Sequence, residues 1–404
     1  MFSLLNAKSI TWLDSVNLCV KQNLDLKVAS ESVRQSRLNE IVVGSDLFPQ
    51  LNSSFSMGKS KSSANNFQDS FSANLNASQI IFDGFKTNIN IEKSKYNTLS
   101  AFASYRYNSA SIRNKLRLAF VNVIKFQEQQ KLLESIFSSR KQQFELINLR
   151  YEAGREHKGA LLTAQANMSQ AEEDSLSCQR NLLLSKRKMS LIMGQRITEN
   201  IEAVESINIV EVSSAPNYSA FLVGNPYLDQ YKWDTKVKEC GLKATLVNQD
   251  PNLKASVSYG LSGDKLLPSN ESWSLGLSMS YAFWDWGDYA ANREIAQAQY
   301  RQALDSESNS TLLAEYNLEE AWNSLMGAYH DVIIQNKYLL ATNERAKIAD
   351  VQYSTGQMAY DNWILIQNDL INIQKSYLNS QIGYMTAEAN WILVKGGTLE
   401  DEKK

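Results

Sequence analysis

Residues 272–289 read SWSLGLSMSYAFWDWGDY, an alternating run of apolar and small residues that ends in a cluster of aromatic rings. Alternate positions carry Trp273, Leu275, Leu277, Met279, Tyr281 and Phe283 on one side and Ser274, Gly276, Ser278, Ser280 and Ala282 on the other. Successive side chains of a strand point to opposite faces, so this pattern predicts a strand with one apolar face and one small, uncharged face. Alternation over about ten to twelve residues suits a strand crossing a bilayer, with lipid on one side and water on the other, and exceeds the usual length of a sandwich strand. Five rings, Tyr281, Phe283, Trp284, Trp286 and Tyr289, crowd the end of the run. Amphipathic rings are stabilised where lipid tails give way to headgroups, so the cluster marks a membrane boundary. Asp285 and Gly287 then turn the chain into a helix, with the carboxylate placed near the helix N-terminus.

The same signals occur earlier in the chain. Shifting the sequence by 202 positions brings Asn23 onto Asn225, Pro49 onto Pro251, Gly58 onto Gly260, Asp83 onto Asp285, Tyr151 onto Tyr353, Gly154 onto Gly356 and Gly194 onto Gly396, without a gap. A single ungapped offset shared by so many punctuation residues indicates a duplication, with a first repeat over 1–202 and a second over 203–404. Each repeat reads as a helix of about thirty residues ended by a proline, two strands, a long helix and a return helix. The strands are expected at 51–59 and 69–82, then 253–262 and 271–284. The long helices are expected at 86–152 and 288–354, and the return helices at 160–193 and 362–395. Phe82 and Phe85 of "IFDGF" stand where the second repeat has its aromatic belt, with Phe48 at the adjoining proline turn.

Only five prolines occur in 404 residues, and none lies within 50–215 or 269–404. A helix of about 67 residues spans roughly 100 Å. It needs partners along its length, and Leu116, Phe120, Val123, Phe137, Phe144 and Ile147 recur at the helical spacing that coiled-coil packing against the return helix requires.

Composition excludes several classes. A formal net charge of −2 argues against gripping nucleic acid through its phosphates. No run of eighteen apolar residues reads as a transmembrane helix, and "MFSLLNAKSITW" lacks a basic leader, so a processed or truncated chain is expected. Cys19, Cys178 and Cys240 are unclustered and read as small buried thiols. HExxH, GxSxG, GxxxxGK[ST] and GxGxxG are all absent, and His157 and His330 are the only histidines; neither an enzyme nor a cofactor or metal site is expected. Two repeats supply only four strands, which leave unpaired edges in lipid and cannot close around a lumen, so strands must be pooled between chains. Three protomers giving twelve strands is the simplest count. The competing reading is a soluble coiled-coil scaffold with a local sheet; an ordinary porin is disfavoured because most of the chain is helical.

The opening "ITWLDSVNLCVKQNLDLKVA", the turn "LFPQL", the junctions "IFDGF" and "FWDWG", and the tips "LRYEAGREHKGALLTAQANM" and "VQYSTGQMAYDNWILIQNDL" together resemble the TolC-type outer-membrane efflux protein family. The resemblance covers nearly the whole chain. It implies a homotrimer with one twelve-stranded barrel in the outer membrane and a periplasmic α-helical tunnel. Members conduct drugs, metal ions or secreted proteins outward, in efflux or type I secretion systems, with a periplasmic adaptor and an inner-membrane pump. It implies that the helix hairpins form the tunnel entrance and the adaptor-docking surface. By position that role falls on Tyr151, Gly154, Arg155, Glu156, His157, Gly159, Leu161, Leu162 and Gln165 in the first repeat. In the second it falls on Tyr353, Gly356, Gln357, Met358, Tyr360, Asp361, Asn362, Leu365 and Gln367. The family often carries an aspartate six residues after the tip glycine; here those positions are Ala160 and Asn362, with Asp361 the nearest carboxylate.

Overall fold

The structure, a computed structural model, describes residues 8–61, 67–196, 201–211 and 215–403. Part of the spacer between the first two expected strands, 62–66, and most of the N-terminal segment lie outside the described residues. Among the described residues no helix is long and apolar enough to cross a membrane.

In chain order the elements are β1 (Lys8–Ile10), α1 (Trp12–Gln22), α2 (Leu24–Gly44), a 3-10 turn, β2 (Gln50–Ser60), β3 (Gln68–Phe82), α3 (Lys86–Glu152) and α4 (Lys158–Ile192). The second half continues with β4 (Ile201–Ala203), α5 (Ser219–Leu222), α6 (Pro226–Leu246), β5 (Asn252–Gly263), β6 (Asn270–Ser280), α7 (Asp288–Ser354), α8 (Tyr360–Val394) and a final 3-10 turn. α2 and α6, α3 and α7, and α4 and α8 match in length at 21, 67 and 35 residues, and each pair is separated by 202 positions.

One compact unit comprises residues 30–105 and 226–311 and holds a four-stranded antiparallel sheet in the order β2-β3-β5-β6. Pairing sets Met57 beside Phe71, Leu75 beside Tyr259, and Val257 beside Leu275, so one face is apolar. The other face pairs Ser56 with Ser72, Ser78 with Ser256 and Ser258 with Ser274. Two hydroxyl contacts on it, Ser56–Ser72 and Ser258–Ser274, are both 2.7 Å and again 202 positions apart. The apolar face is uncovered within the chain: Leu275, Leu277 and Met279 are 72%, 68% and 69% exposed.

The second unit comprises 1–29, 106–225 and 312–404. Its core is drawn from α3, α4, α7 and α8. Ile147, Ala160, Ala164, Ala346, Ala349, Tyr353, Tyr360, Trp363, Ile364 and Ile366 form one buried cluster, and Leu133, Ile136, Ala171 and Cys178 another. The many alanines let the helices approach closely around a few large side chains. β1 and β4 pair in parallel. Arg113 binds Glu402, and Arg117 binds Glu205 through two hydrogen bonds of 2.6 and 2.9 Å. Cys19, Cys178 and Cys240 are free and buried, and burial pushes the Cys19 thiol up to about 12.

Two expectations need correction. The helix of about thirty residues before Pro49 is broken at Asn23, whose backbone is extended. Its Oδ1 accepts from Leu26 N at 2.8 Å, capping α2, while its Nδ2 donates to Ile192 O at 2.7 Å, satisfying an open carbonyl at the end of α4. Asn225 repeats the second bond to Val394 O at 3.0 Å. One amide thus serves two helix ends, and periodicity alone conceals the break. The strand expected at 271–284 stops at Ser280, because its last partner is Asn252, the first residue of β5. β3 continues to Phe82 because β5 flanks it on the side away from β2.

Candidate functional site

Two sets of residues were singled out by sequence: the strand-to-helix junctions and the hairpin tips. At the first junction Asp83 Oδ2 accepts from Thr87 N at 2.8 Å and from Thr87 Oγ1 at 2.6 Å. At the second, Asp285 Oδ2 accepts from Tyr289 N at 2.8 Å. Each aspartate therefore satisfies an open donor in the first turn of a 67-residue helix. Between aspartate and helix the backbone takes two consecutive left-handed residues, Gly84 (φ 69°) and Phe85 (φ 67°), then Trp286 (φ 54°) and Gly287 (φ 91°). The order of glycine and aromatic is reversed. A Cβ on Gly84 would lie 2.3 Å from Asp250 Oδ2, so a larger residue there would force Asp250 to shift. The belt is exposed: Phe85 by 65%, Phe283 by 85%, Trp284 by 68% and Trp286 by 90%. Phe82 packs edge-on against Phe85 and Trp284 against Trp286. Tyr281 is exposed, and Tyr289 donates its hydroxyl to Leu246 O at 3.1 Å.

At the tips, Gly154 (φ 69°) and Gly356 (φ 77°) take the left-handed conformation. Gly154 N donates to Tyr151 O at 2.9 Å and Arg155 N to Arg150 O at 2.8 Å. Gly356 N donates to Tyr353 O at 3.1 Å and Gln357 N to Gln352 O at 2.8 Å. This is the Schellman arrangement, which closes the last carbonyls of a helix and requires positive φ at its glycine. The return helices start differently. His157 caps α4 by accepting from Ala160 N at 3.1 Å, whereas Ala359 makes no side-chain cap for α8.

Around this shared backbone the second tip is built as a core. Tyr353 stacks on Trp363 with centroids 4.4 Å apart and planes 7° from parallel, and Arg150 lies 4.3 Å over the tyrosine ring. Arg150 also donates to the carbonyls of Tyr353 and Ser354 at 3.2 and 3.3 Å, a cation closing the C-terminus of α7. The Tyr353 hydroxyl donates to Glu156 Oε1 at 2.9 Å. Burial first, and the Glu156 carboxylate second, hold that hydroxyl well above the usual tyrosine range. Trp363 and Gln367 both donate to Asp350 Oδ1, at 2.7 and 2.8 Å. Residues of the first hairpin thus clasp the second.

Of the residues placed on the docking surface, Tyr353 and Gln367 are interior at 2% and 7% exposure, so they shape the tip rather than present a surface. Tyr360 and Ala160 are buried too. Arg155, Leu162, Gln165, Gln357, Asp361, Asn362 and Leu365 are exposed, while Glu156, Leu161 and Met358 are half-buried. Asp361 sits in the first turn of α8. Sequence reasoning missed Arg150, Asp350 and Trp363. The available signal was departure from the repeat, since at the 202 offset Arg150 faces Gln352 and Trp363 faces Leu161.

Comparison with known proteins places this geometry. Residues 16–195 match the family model described as outer membrane efflux protein. The chain is 22% identical to the pyoverdine export outer membrane protein OpmQ of Pseudomonas aeruginosa, covering 82% of this chain and 73% of that protein. It is 18% identical to the outer membrane efflux protein BepC of Brucella suis, covering 87% and 78%. In structure it resembles the CmeC outer membrane channel of Campylobacter jejuni, with a TM-score of 0.86 at 17% identity over 96% of this chain and 86% of that one. The chain is thus similar to the outer membrane efflux protein family over residues 16–195, and nearly all of its length shares the fold of the CmeC channel.

Proposed function

We propose that this protein is the outer-membrane channel of an efflux or type I secretion system. In this reading three copies pool their sheets into one twelve-stranded barrel, and the long helices continue as a conduit through the periplasm. Each chain consists of two structural repeats, 1–202 and 203–404. The observation that carries the reading is the open four-stranded sheet, apolar on one face, small and polar on the other, and free at both edges. In lipid each unpaired backbone group costs several kcal/mol, so the edges must find partners. A soluble scaffold would have no use for a row such as Leu275, Leu277 and Met279 facing outward.

The similarity to OpmQ and BepC supports outward transport, and the absence of catalytic motifs assigns the work to a pump. The channel receives its substrates from a periplasmic adaptor and an inner-membrane pump. The exposed tip residues Arg155, Leu162, Gln165, Gln357, Asp361, Asn362 and Leu365 form the docking surface and the entrance.

Mass measured in detergent tests this directly. A trimer is expected, and a stable water-soluble monomer would sink the barrel. Leu277→Arg places a cation on the lipid face at a cost of roughly 2–4 kcal/mol near the midplane. It should block assembly, while Ser278→Arg, on the lumen face, should not. Equal tolerance of both would reverse the assigned orientation.

A further inference from the structure

Along all four strands of the sheet the small polar face reads serine, asparagine, glutamine and glycine, with two exceptions that stand side by side near the helical end. They are Ile80 and Lys254: Ile80 pairs with Lys254, and Lys254 pairs with Ser278. The charges of the apolar face, Lys59, Asp69 and Glu271, lie toward the far end of the sheet, where Lys59 and Asp69 form an ion pair of 3.4 Å. Lys254 is exposed and has no ion pair among the described residues. The carboxylates at its end of the sheet are placed otherwise. Asp83 and Asp285 accept from first-turn donors of the long helices, Asp250 approaches Gly84, and Asp46 lies in the 3-10 turn before β2. The 202 offset sets Asn52 at the position of Lys254, so each chain contributes one cation to this face and not two.

We propose that Lys254 is the charge-selecting residue of the barrel. Three copies form a cationic ring where the long helices meet the sheet, and the ring favours anionic solutes, those bearing carboxylate or phosphate groups. The proposal rests on the trimeric reading above and adds the chemistry of the barrel wall. Hydroxyls and amides on that wall offer hydrogen bonds to solutes of either sign, so they do not discriminate by charge. A ring of ammonium groups does, because a passage lined by one sign of charge concentrates the opposite sign. Salt sets the reach of the ring. Its field extends about 30 Å at 0.01 M, about 10 Å at 0.1 M and about 3 Å at 1 M. The preference is therefore strong in dilute salt and vanishes in concentrated salt, which a purely structural role for Lys254 would not produce.

Thiol labelling tests the ring on the full-length protein in its membrane. Ser278→Cys places a thiol directly across the strand pair from Lys254. Two water-soluble thiosulfonates of similar size, one carrying a sulfonate and one a quaternary ammonium, are allowed to react with it. The ratio of their rates cancels the reactivity of the thiol itself. The unsubstituted protein reports background from Cys19, Cys178 and Cys240, which are buried. A unit charge about 6 Å away in water changes the local concentration of a monovalent ion roughly threefold, in opposite senses for the two signs. At 0.01 M salt the anion-to-cation ratio should therefore fall about five- to tenfold when Lys254→Gln is added. It should fall further with Lys254→Glu and stay at its starting value with Lys254→Arg. At 1 M salt all four should converge. Ser272→Cys, on the same face of β6 but roughly 20 Å along the strand, should shift less than twofold. A ratio unmoved by Lys254→Gln and Lys254→Glu overturns the ring and leaves the channel in place. A shift that persists undiminished at 1 M salt overturns it too, because a field would be screened. If neither reagent labels Ser278→Cys or Ser272→Cys, the polar face does not border water, and the function proposed above falls with the ring.

Discussion

The tip at Gly154 and the tip at Gly356 have the same backbone and opposite interiors. Both end a 67-residue helix with the same pair of hydrogen bonds and the same positive φ. Yet Tyr151 is 38% exposed and its counterpart Tyr353 is 2% exposed. Tyr353 is enclosed by Trp363 on one side and Arg150 on the other, with Glu156 taking its hydroxyl. Tyr151 is given none of these contacts. The comparison shows how a repeated backbone acquires direction. Local chemistry makes both turns, and a few large or charged side chains that differ between the halves decide which turn becomes the core of the pair.

The largest expected effect separates the tyrosines. Tyr353→Ala removes a fully buried ring and should cost about 3–5 kcal/mol locally, read as lost hydrogen-exchange protection over 346–366. Tyr151→Ala should stay within roughly 0.5 kcal/mol, as surface changes do. Equal losses would erase the distinction drawn between the tips.

The glycines test the opposite statement, that the backbones are alike. Nothing lies within 4 Å of a Cβ built on Gly154 or Gly356, so only φ opposes a side chain. Gly154→Val and Gly356→Val should therefore destabilise their tips by similar amounts, about 1–3 kcal/mol each. The protein should still reach the membrane in normal amounts while export fails. Full export in both variants would remove the tips from the mechanism.

Tyr353→Phe is subtler. It deletes the bond to Glu156 but keeps the stack, and should cost about 1 kcal/mol. The native hydroxyl titrates above its unfolded value of about 10, so its contribution is complete below that pH and is lost as pH rises beyond it. Alkaline loosening of the second tip should accordingly be weaker in Tyr353→Phe than in the native protein. An identical alkaline response in both would show that this hydroxyl is not its source.

The smallest effect concerns the caps. His157→Ala should weaken the start of α4 by roughly 0.5 kcal/mol, the low end for a lost cap, and Ala359→Asp should strengthen the start of α8 by a similar amount. Helix content in peptides spanning each turn would not suffice; the measurement is protection of the first-turn amides in the full-length protein. No change in either would mean that packing, not capping, sets these ends.

Much of the fold was legible because it depends on near neighbours. Alternation in "SWSLGLSMS" marks a strand wherever it lies. Asp83 and Asp285 announce a helix start three residues ahead, and glycines at 154, 194, 356 and 396 announce positive φ, which all four adopt. The offset of 202 was visible because such local signals repeat together. What the sequence did not reveal depends on partners far along the chain. Asn23 breaks a helix by bonding to Ile192, and Arg150 is informative only beside Tyr353. The end of β6 at Ser280 depends on where β5 begins. Backbone preference is set by the residues adjacent in sequence, so it can be read by eye. Burial and strand pairing are set by residues that meet only once the chain folds, as Ser280 meets Asn252 and Arg150 meets Tyr353, and only the tertiary structure decides which of two equal turns is sealed and which is left open.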